Sequence, residues 1–122
     1  MKKILFIEDE LGLQRAVSQV LQEQGFEVFS ELNGEMGILR AQKELPDLIL
    51  LDIVLPRKDG FAVFKELRAN PLTEKIPVIV LSNLEGGKDI QKMIELGATT
   101  YLVKINYKLD EVVEKIKSVL KE

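Results

Sequence analysis

The side chains in this sequence that can do chemistry are mostly oxygen acids. Among the 122 residues there is no Cys and no His. That removes disulfides, thiolate metal sites, Ser-His-Asp triads, imidazole acid–base work and His-ligated zinc. What is left is an acid run, Glu8-Asp9-Glu10, and a lone carboxylate, Asp52. The latter stands near the end of the apolar stretch Asp47-Leu48-Ile49-Leu50-Leu51-Asp52-Ile53-Val54-Leu55-Pro56. A hydroxyl, Ser82, follows the apolar run Ile76-Pro77-Val78-Ile79-Val80-Leu81, and an ammonium, Lys104, follows Thr100-Tyr101-Leu102-Val103. If these stretches meet, Glu8, Asp9 and Asp52 crowd three carboxylates together. Two unit charges about 4 Å apart repel by roughly 4 kcal/mol at an effective dielectric of about 20. A hard divalent cation relieves this, and Mg2+ is typically held by one or two carboxylates with waters and phosphate oxygens. Such an ion would also neutralise an arriving phosphoryl group, with Asp52 as a nucleophile forming an acyl phosphate. Lys104 would supply a point charge and Ser82 a hydroxyl donor to the phosphoryl oxygens.

Each of these residues also has a plain structural reading. A lone Asp at a strand end can be a cap. Glu8-Asp9-Glu10 can be a solvated helix start favoured by the macrodipole. Ser82 can be a turn residue, Tyr101 an ordinary sheet residue and Lys104 a surface charge. Gly86-Gly87 is a loop rather than a phosphate cradle, because no Lys-Ser/Thr follows in P-loop spacing. What favours the chemistry is position, since all of these polar groups sit at the ends of apolar runs.

Those runs must be strands. Asp47 to Pro56 has no polar alternation until Asp52, so it reads as a strand buried on both faces of a parallel sheet. Pro46 and Pro56 bound it. Lys3 to Ile7 reads as the first strand, followed by a helix from about Leu11 to Gln24 with Leu13, Val17, Val20 and Leu21 at helical spacing. Gly25 ends that helix, and Phe26 to Ser30 forms the second strand. Asn33 caps a helix to about Glu44, with Met36, Leu39 and Ile38 expected inward and Gly37 within it. Lys58-Asp59-Gly60 marks a turn, Phe61, Phe64 and Leu67 give the next helix its apolar face, and Asn70-Pro71 ends it. Ile76 to Leu81 is the fourth strand and Ser82 to Gly87 a loop. A fourth helix over about 88–96 ends at Gly97. Thr100 to Val103 is the fifth strand. The last helix, about Lys108 to Lys121, is expected to bury Leu109, Val112, Val113, Ile116 and Leu120. Five alternations of strand and helix predict an α/β fold, a parallel sheet with helices on both faces. Ligands bind such sheets at the C-terminal ends of the strands.

A chain of this length is one domain that buries roughly two thirds of its unfolded surface. The net charge of −3 argues against binding a nucleic-acid backbone. Apolar residues 4–7 are too few for a signal peptide before the acid run ends them, and no apolar run is long enough to span a membrane. A cytoplasmic protein is expected.

Four motifs occur in order: Ile7-Glu8-Asp9-Glu10; Leu51-Asp52-Ile53-Val54-Leu55-Pro56 with Asp59-Gly60; Val80-Leu81-Ser82; and Gly97-Ala98 followed by Tyr101-Leu102-Val103-Lys104. With them the chain resembles the receiver domain of two-component response regulators over its full length. The resemblance implies a single (βα)5 flavodoxin-like domain over 1–122, its five-stranded parallel sheet in the order 2-1-3-4-5. It implies that Asp52 is the phosphoacceptor. Asp9, Asp52 and the Val54 backbone carbonyl would hold Mg2+, with Glu8 acting through water. Ser82 would be the switch hydroxyl, Lys104 the phosphate-binding lysine and Tyr101 the switch aromatic. Phosphorylation would draw Ser82 toward the phosphoryl group and turn Tyr101 inward. The face made by the fourth helix, fifth strand and last helix would change as a result. The donor would be a sensor histidine kinase or a histidine phosphotransfer protein, since this chain has no His. The output would pass to a downstream protein or a fused output domain, without direct nucleic-acid or membrane contact. Such a receiver is not an enzyme in the usual sense; it catalyses only its own aspartyl phosphorylation and dephosphorylation.

The pattern is departed from in places. The family usually has a cis-bonded Pro after the lysine, and here Ile105 follows Lys104. A cis bond before a non-proline residue costs roughly 3–4 kcal/mol, so a trans bond is expected. Asn83 stands where a small residue is usual, Thr99-Thr100 replaces a commonly acidic pair, and Val54 and Leu84 are expected to flank the phosphoryl group and hinder attacking water. The alternative is a pseudo-receiver, a protein-binding module that keeps the fold without the phosphorylation. An aspartyl-intermediate phosphohydrolase lacks its second acid, because Val54 stands there. A dinucleotide-binding domain lacks its glycines after the first strand.

Overall fold

The computed structural model describes residues 1–52, 55, 59–82, 91, 95, 100–103 and 109–121, with the backbone alone at 82 and 100–103. The chain runs β1 (Lys3–Ile7), α1 (Leu11–Glu23), β2 (Glu27–Glu31), α2 (Gly34–Glu44), β3 (Leu48–Asp52), α3 (Gly60–Ala69), β4 (Val78–Ser82), β5 (Thr100–Val103) and α4 (Leu109–Leu120). Of the helix expected over about 88–96, Gln91 and Glu95 are described, and both are helical and exposed. The rest of it, Asn83, Leu84, Gly86-Gly87, Thr99 and the Lys104–Ile105 bond lie outside the described residues.

All five strands pair in parallel, in the order β2-β1-β3-β4-β5. The expected flavodoxin-like order is therefore the observed one. Every residue of β3 is buried, as a run without polar alternation requires of a strand covered on both faces. The period-2 alternation of side chains sorts the strands' residues into two cores. Leu5, Ile7, Ile49, Leu51, Val78 and Val80 pack with Ile38 and Ala41 of α2 and with Val63, Phe64 and Leu67 of α3. Ile4, Phe6, Leu48, Leu50, Ile79 and Leu81 pack with Val17 and Leu21 of α1 and with Val112, Val113 and Ile116 of α4. Each buried Val, Leu, Ile or Phe among them contributes about 1.5–3 kcal/mol. The two cores hold the register, because a slip by one residue would exchange the faces of a whole strand.

Helix starts follow local chemistry. Asn33 Oδ1 accepts from the Met36 amide at 3.0 Å, and Asp59 Oδ1 accepts from the Ala62 amide at 3.0 Å. Gly25 takes φ +93°, a conformation that suits glycine, and its amide donates to the Gln22 carbonyl to turn the chain from α1 into β2. The inward placement expected of Met36 and Leu39 is overturned: they are 47% and 58% exposed. The buried face of α2 is Gly34, Gly37, Ile38 and Ala41. The reason is distance. A Cβ on Gly37 would lie 2.7 Å from Cγ1 of Ile7, so glycine at that position lets α2 approach β1 this closely, with Ile38 and Ala41 beside it in the core and Met36 and Leu39 turned outward. Among the described residues no helix is long and apolar enough to cross a membrane.

Candidate functional site

The strand order reverses direction between β1 and β3, and that is where a parallel sheet of this kind opens a crevice at its C-terminal edge. The register decides which side chains meet there. Ile4 pairs with Leu48 and Phe6 with Leu50, all four on the α1–α4 side of the sheet. Two residues further along the same face bring Glu8 beside Asp52. Their carboxylates, with that of Asp9, offer oxygens that all lie within 4.8 Å of one another. Glu8 is fully buried and Asp52 is 1% exposed, while Asp9 is exposed. Glu8 Oε2 accepts from the Glu10 amide at 3.3 Å.

This geometry sets aside two of the plain readings. A buried Glu8 is not a solvated helix start, and Glu10, at the N-cap of α1, makes no side-chain cap bond. Asp52 does not cap the helix after β3, because Asp59 does.

Two ionised carboxylates at 4.8 Å repel by about 3.5 kcal/mol at an effective dielectric of about 20. Solvent weakens the share that reaches exposed Asp9. The donors are all hard oxygens, two buried and one open to water, so that solvent molecules could complete a coordination shell. That set fits Mg2+, Mn2+ or Ca2+ and does not fit a soft or imidazole-seeking metal.

Of the other residues singled out by the sequence, Ser82 is the last residue of β4 and pairs with Val103, one step beyond the Asp52–Leu81 pair. Its backbone is thus at the same edge as the carboxylates. Tyr101 is in β5, paired with Val80. The side chains of Ser82 and Tyr101, and all of Val54 and Lys104, lie outside what is described. One residue at this edge escaped the sequence reading. Gln14 of α1 is 7% exposed, and its Nε2 donates to the Glu8 and Glu31 carbonyls, each at 3.1 Å. The signal was there: Gln14 lies on the stripe of Val17 and Leu21, where an amphipathic helix calls for an apolar residue.

A family model described as the response regulator receiver domain matches residues 4–117. The chain is 41% identical over 121 residues to the transcriptional regulatory protein CiaR of Streptococcus pneumoniae, covering 99% of this chain and 52% of that protein. The chemotaxis response regulator CheY4 of Vibrio cholerae superposes with a TM-score of 0.90 at 28% identity, covering 98% of each chain. The Mn2+-bound form of the response regulator Rcp1 superposes with a TM-score of 0.84 at 33% identity, covering 97% of this chain and 93% of that one. The chain spans about half the length, or less, of the curated relatives.

Proposed function

Because the chain belongs to the family of response regulator receiver domains, we propose that it works as a phosphorylation-operated switch with Asp52 as the phosphoacceptor. The observation that carries this is the cluster of Glu8, Asp9 and Asp52, whose oxygens lie within 4.8 Å at the C-terminal edge of the sheet. Asp9, Asp52 and the Val54 carbonyl would hold Mg2+, with Glu8 acting through water. That Rcp1, at 33% identity, has an Mn2+-bound form supports a hard divalent cation as the ligand. When bound, the ion neutralises charge on the phosphoryl oxygens and on the carboxylates.

The chain's own residues do the rest. An Asp52 carboxylate oxygen attacks phosphorus, the Asp52 O–P bond forms, and the P–N bond of a phosphohistidine breaks, leaving imidazole on the donor. The donor is a phosphohistidine outside residues 1–122, on a sensor histidine kinase or histidine phosphotransfer protein, since these residues include no His. Burial of Glu8 and Asp52 among apolar strand residues keeps bulk water from the reacting oxygens. Lys104 and Ser82 would engage the phosphoryl oxygens, and Tyr101 would follow Ser82 inward. The self-directed phosphorylation and dephosphorylation of Asp52 is the only catalysis proposed. The whole of 1–122 acts as one receiver in the cytoplasm and passes its state to a downstream protein or to a fused output domain. CiaR, named a transcriptional regulatory protein and about twice as long, fits the fused arrangement.

The pseudo-receiver alternative draws no support from a site in which all three acids are present and gathered. Incubation with a small acyl phosphate and Mg2+ tests the proposal. The parent protein is expected to gain the mass of one phosphoryl group, and Asp52→Asn to gain none. An equal gain in Asp52→Asn, or no gain in the parent, would overturn it.

A further inference from the structure

Gln14 is a buried polar side chain that the chemistry above does not use. Its amide carries two hydrogens, and it bonds two carbonyls, those of Glu8 and Glu31, at 3.1 Å each. The Glu8 carbonyl belongs to the peptide that joins Glu8 to Asp9. Holding that peptide's orientation restrains ψ of Glu8 and φ of Asp9, the two rotations that set where the neighbouring Cα–Cβ bonds point. Two of the three gathered carboxylates are therefore aimed from one peptide, and Gln14 holds that peptide.

The other end of the clamp is firm. The Glu31 carbonyl also receives the Glu8 amide at 3.0 Å, and the Glu31 carboxylate is held by Arg40 at 2.8 Å. Glu31 is the last residue of β2 and is paired with Ile7. Gln14 itself is seated in α1, its own amide donating to the Glu10 carbonyl at 2.9 Å. The loop from Glu8 to Gln14 is thus closed by main chain and side chain together.

We infer that Gln14 is a positioning residue, which holds the Glu8–Asp9 peptide so that both carboxylates face Asp52 in the geometry a divalent cation needs. This rests on the proposed cation site. Partners behind the ligands of a metal commonly change its affinity 10–100-fold. A peg that only stabilised the fold would change the melting temperature and leave that affinity alone.

The test uses Gln14→Met, which keeps the length and loses both N–H donors. Mg2+ dissociation constants come from titration calorimetry, and metal-free melting temperatures are measured in chelator. Gln14→Met is expected to bind Mg2+ about tenfold more weakly than the parent. Its half-maximal rate of phosphorylation by a small acyl phosphate should need correspondingly more Mg2+, while the rate at saturating metal stays near the parent's. Where Gln14→Met does not fold, Gln14→Asn serves, since it keeps the amide but cannot reach both carbonyls; it too should bind weakly. A lowered melting temperature with unchanged Mg2+ affinity would overturn the inference. If the parent itself binds no Mg2+, the proposed site and this inference fall together; if the parent binds and the variants match it, only the role of Gln14 falls.

Discussion

At the scale of the residue, Asp52 sits in a place that stability alone would not choose. It is 1% exposed, beside a fully buried Glu8, with Asp9 on the open side. The oxygens of the three lie within 4.8 Å, and at that distance each ionised pair repels by several kcal/mol in a partly screened interior. Sites that store such repulsion are common where a cation or a charged group must be received. The consequence can be measured without any ligand. Asp52→Asn keeps the shape and removes one charge from the cluster. In chelator it should raise the unfolding free energy by on the order of 1–3 kcal/mol, read as a higher denaturant midpoint at unchanged slope. A lower midpoint would mean that the Asp52 carboxylate gains more from its surroundings than it loses to Glu8 and Asp9.

At the scale of the element, α2 shows what helical periodicity can and cannot give. Gly37 faces β1 so closely that an added Cβ would meet Ile7, whereas a Cβ added at Gly12 in α1 would have no atom within 4 Å. The same substitution should therefore have opposite signs. Gly37→Ala should destabilise by about 1–3 kcal/mol through overpacking, and Gly12→Ala should stabilise by about 0.4–1 kcal/mol through the unfolded chain's lost freedom. Thermal or denaturant unfolding of the two variants checks both. The contrast also explains which parts of the fold were legible. Strands were, because runs such as Leu48 to Leu51 are of strand length and bounded by prolines, here Pro46 and Pro56, and their order followed from the family resemblance alone. The inner face of α2 was not, because hydrophobicity ranks Met36 and Leu39 above Gly34, Gly37 and Ala41, and it is the helix–sheet distance that decides. At the site, Glu8, Asp9 and Asp52 stood out as acids placed directly after apolar strands. Gln14 did not, because a glutamine in a helix is ordinary until its stripe is compared with Val17 and Leu21.

At the scale of the molecule, the cluster exists only when the chain is folded. Glu8 and Asp9 leave the end of β1, Asp52 ends β3, and the parallel pairing of those two strands brings them together. A cation that needs all three has little to bind in the unfolded chain, so binding must appear as stability. For one site the gain is RT ln(1 + [L]/Kd), about 1.4 kcal/mol at a free concentration ten times Kd. For a domain of this size that raises the melting temperature by about 5 °C. Ordinary screening of the carboxylates would raise it as well, and the two effects separate by ion. NaCl at matched ionic strength weakens the repulsion without coordinating, so it should give a smaller rise than MgCl2. Asp52→Asn should start higher in chelator and rise less with Mg2+, because the charge that made the cluster unfavourable is also one that attracts the cation. Equal rises in NaCl and MgCl2 for the parent would leave three carboxylates that tolerate one another and hold no ion.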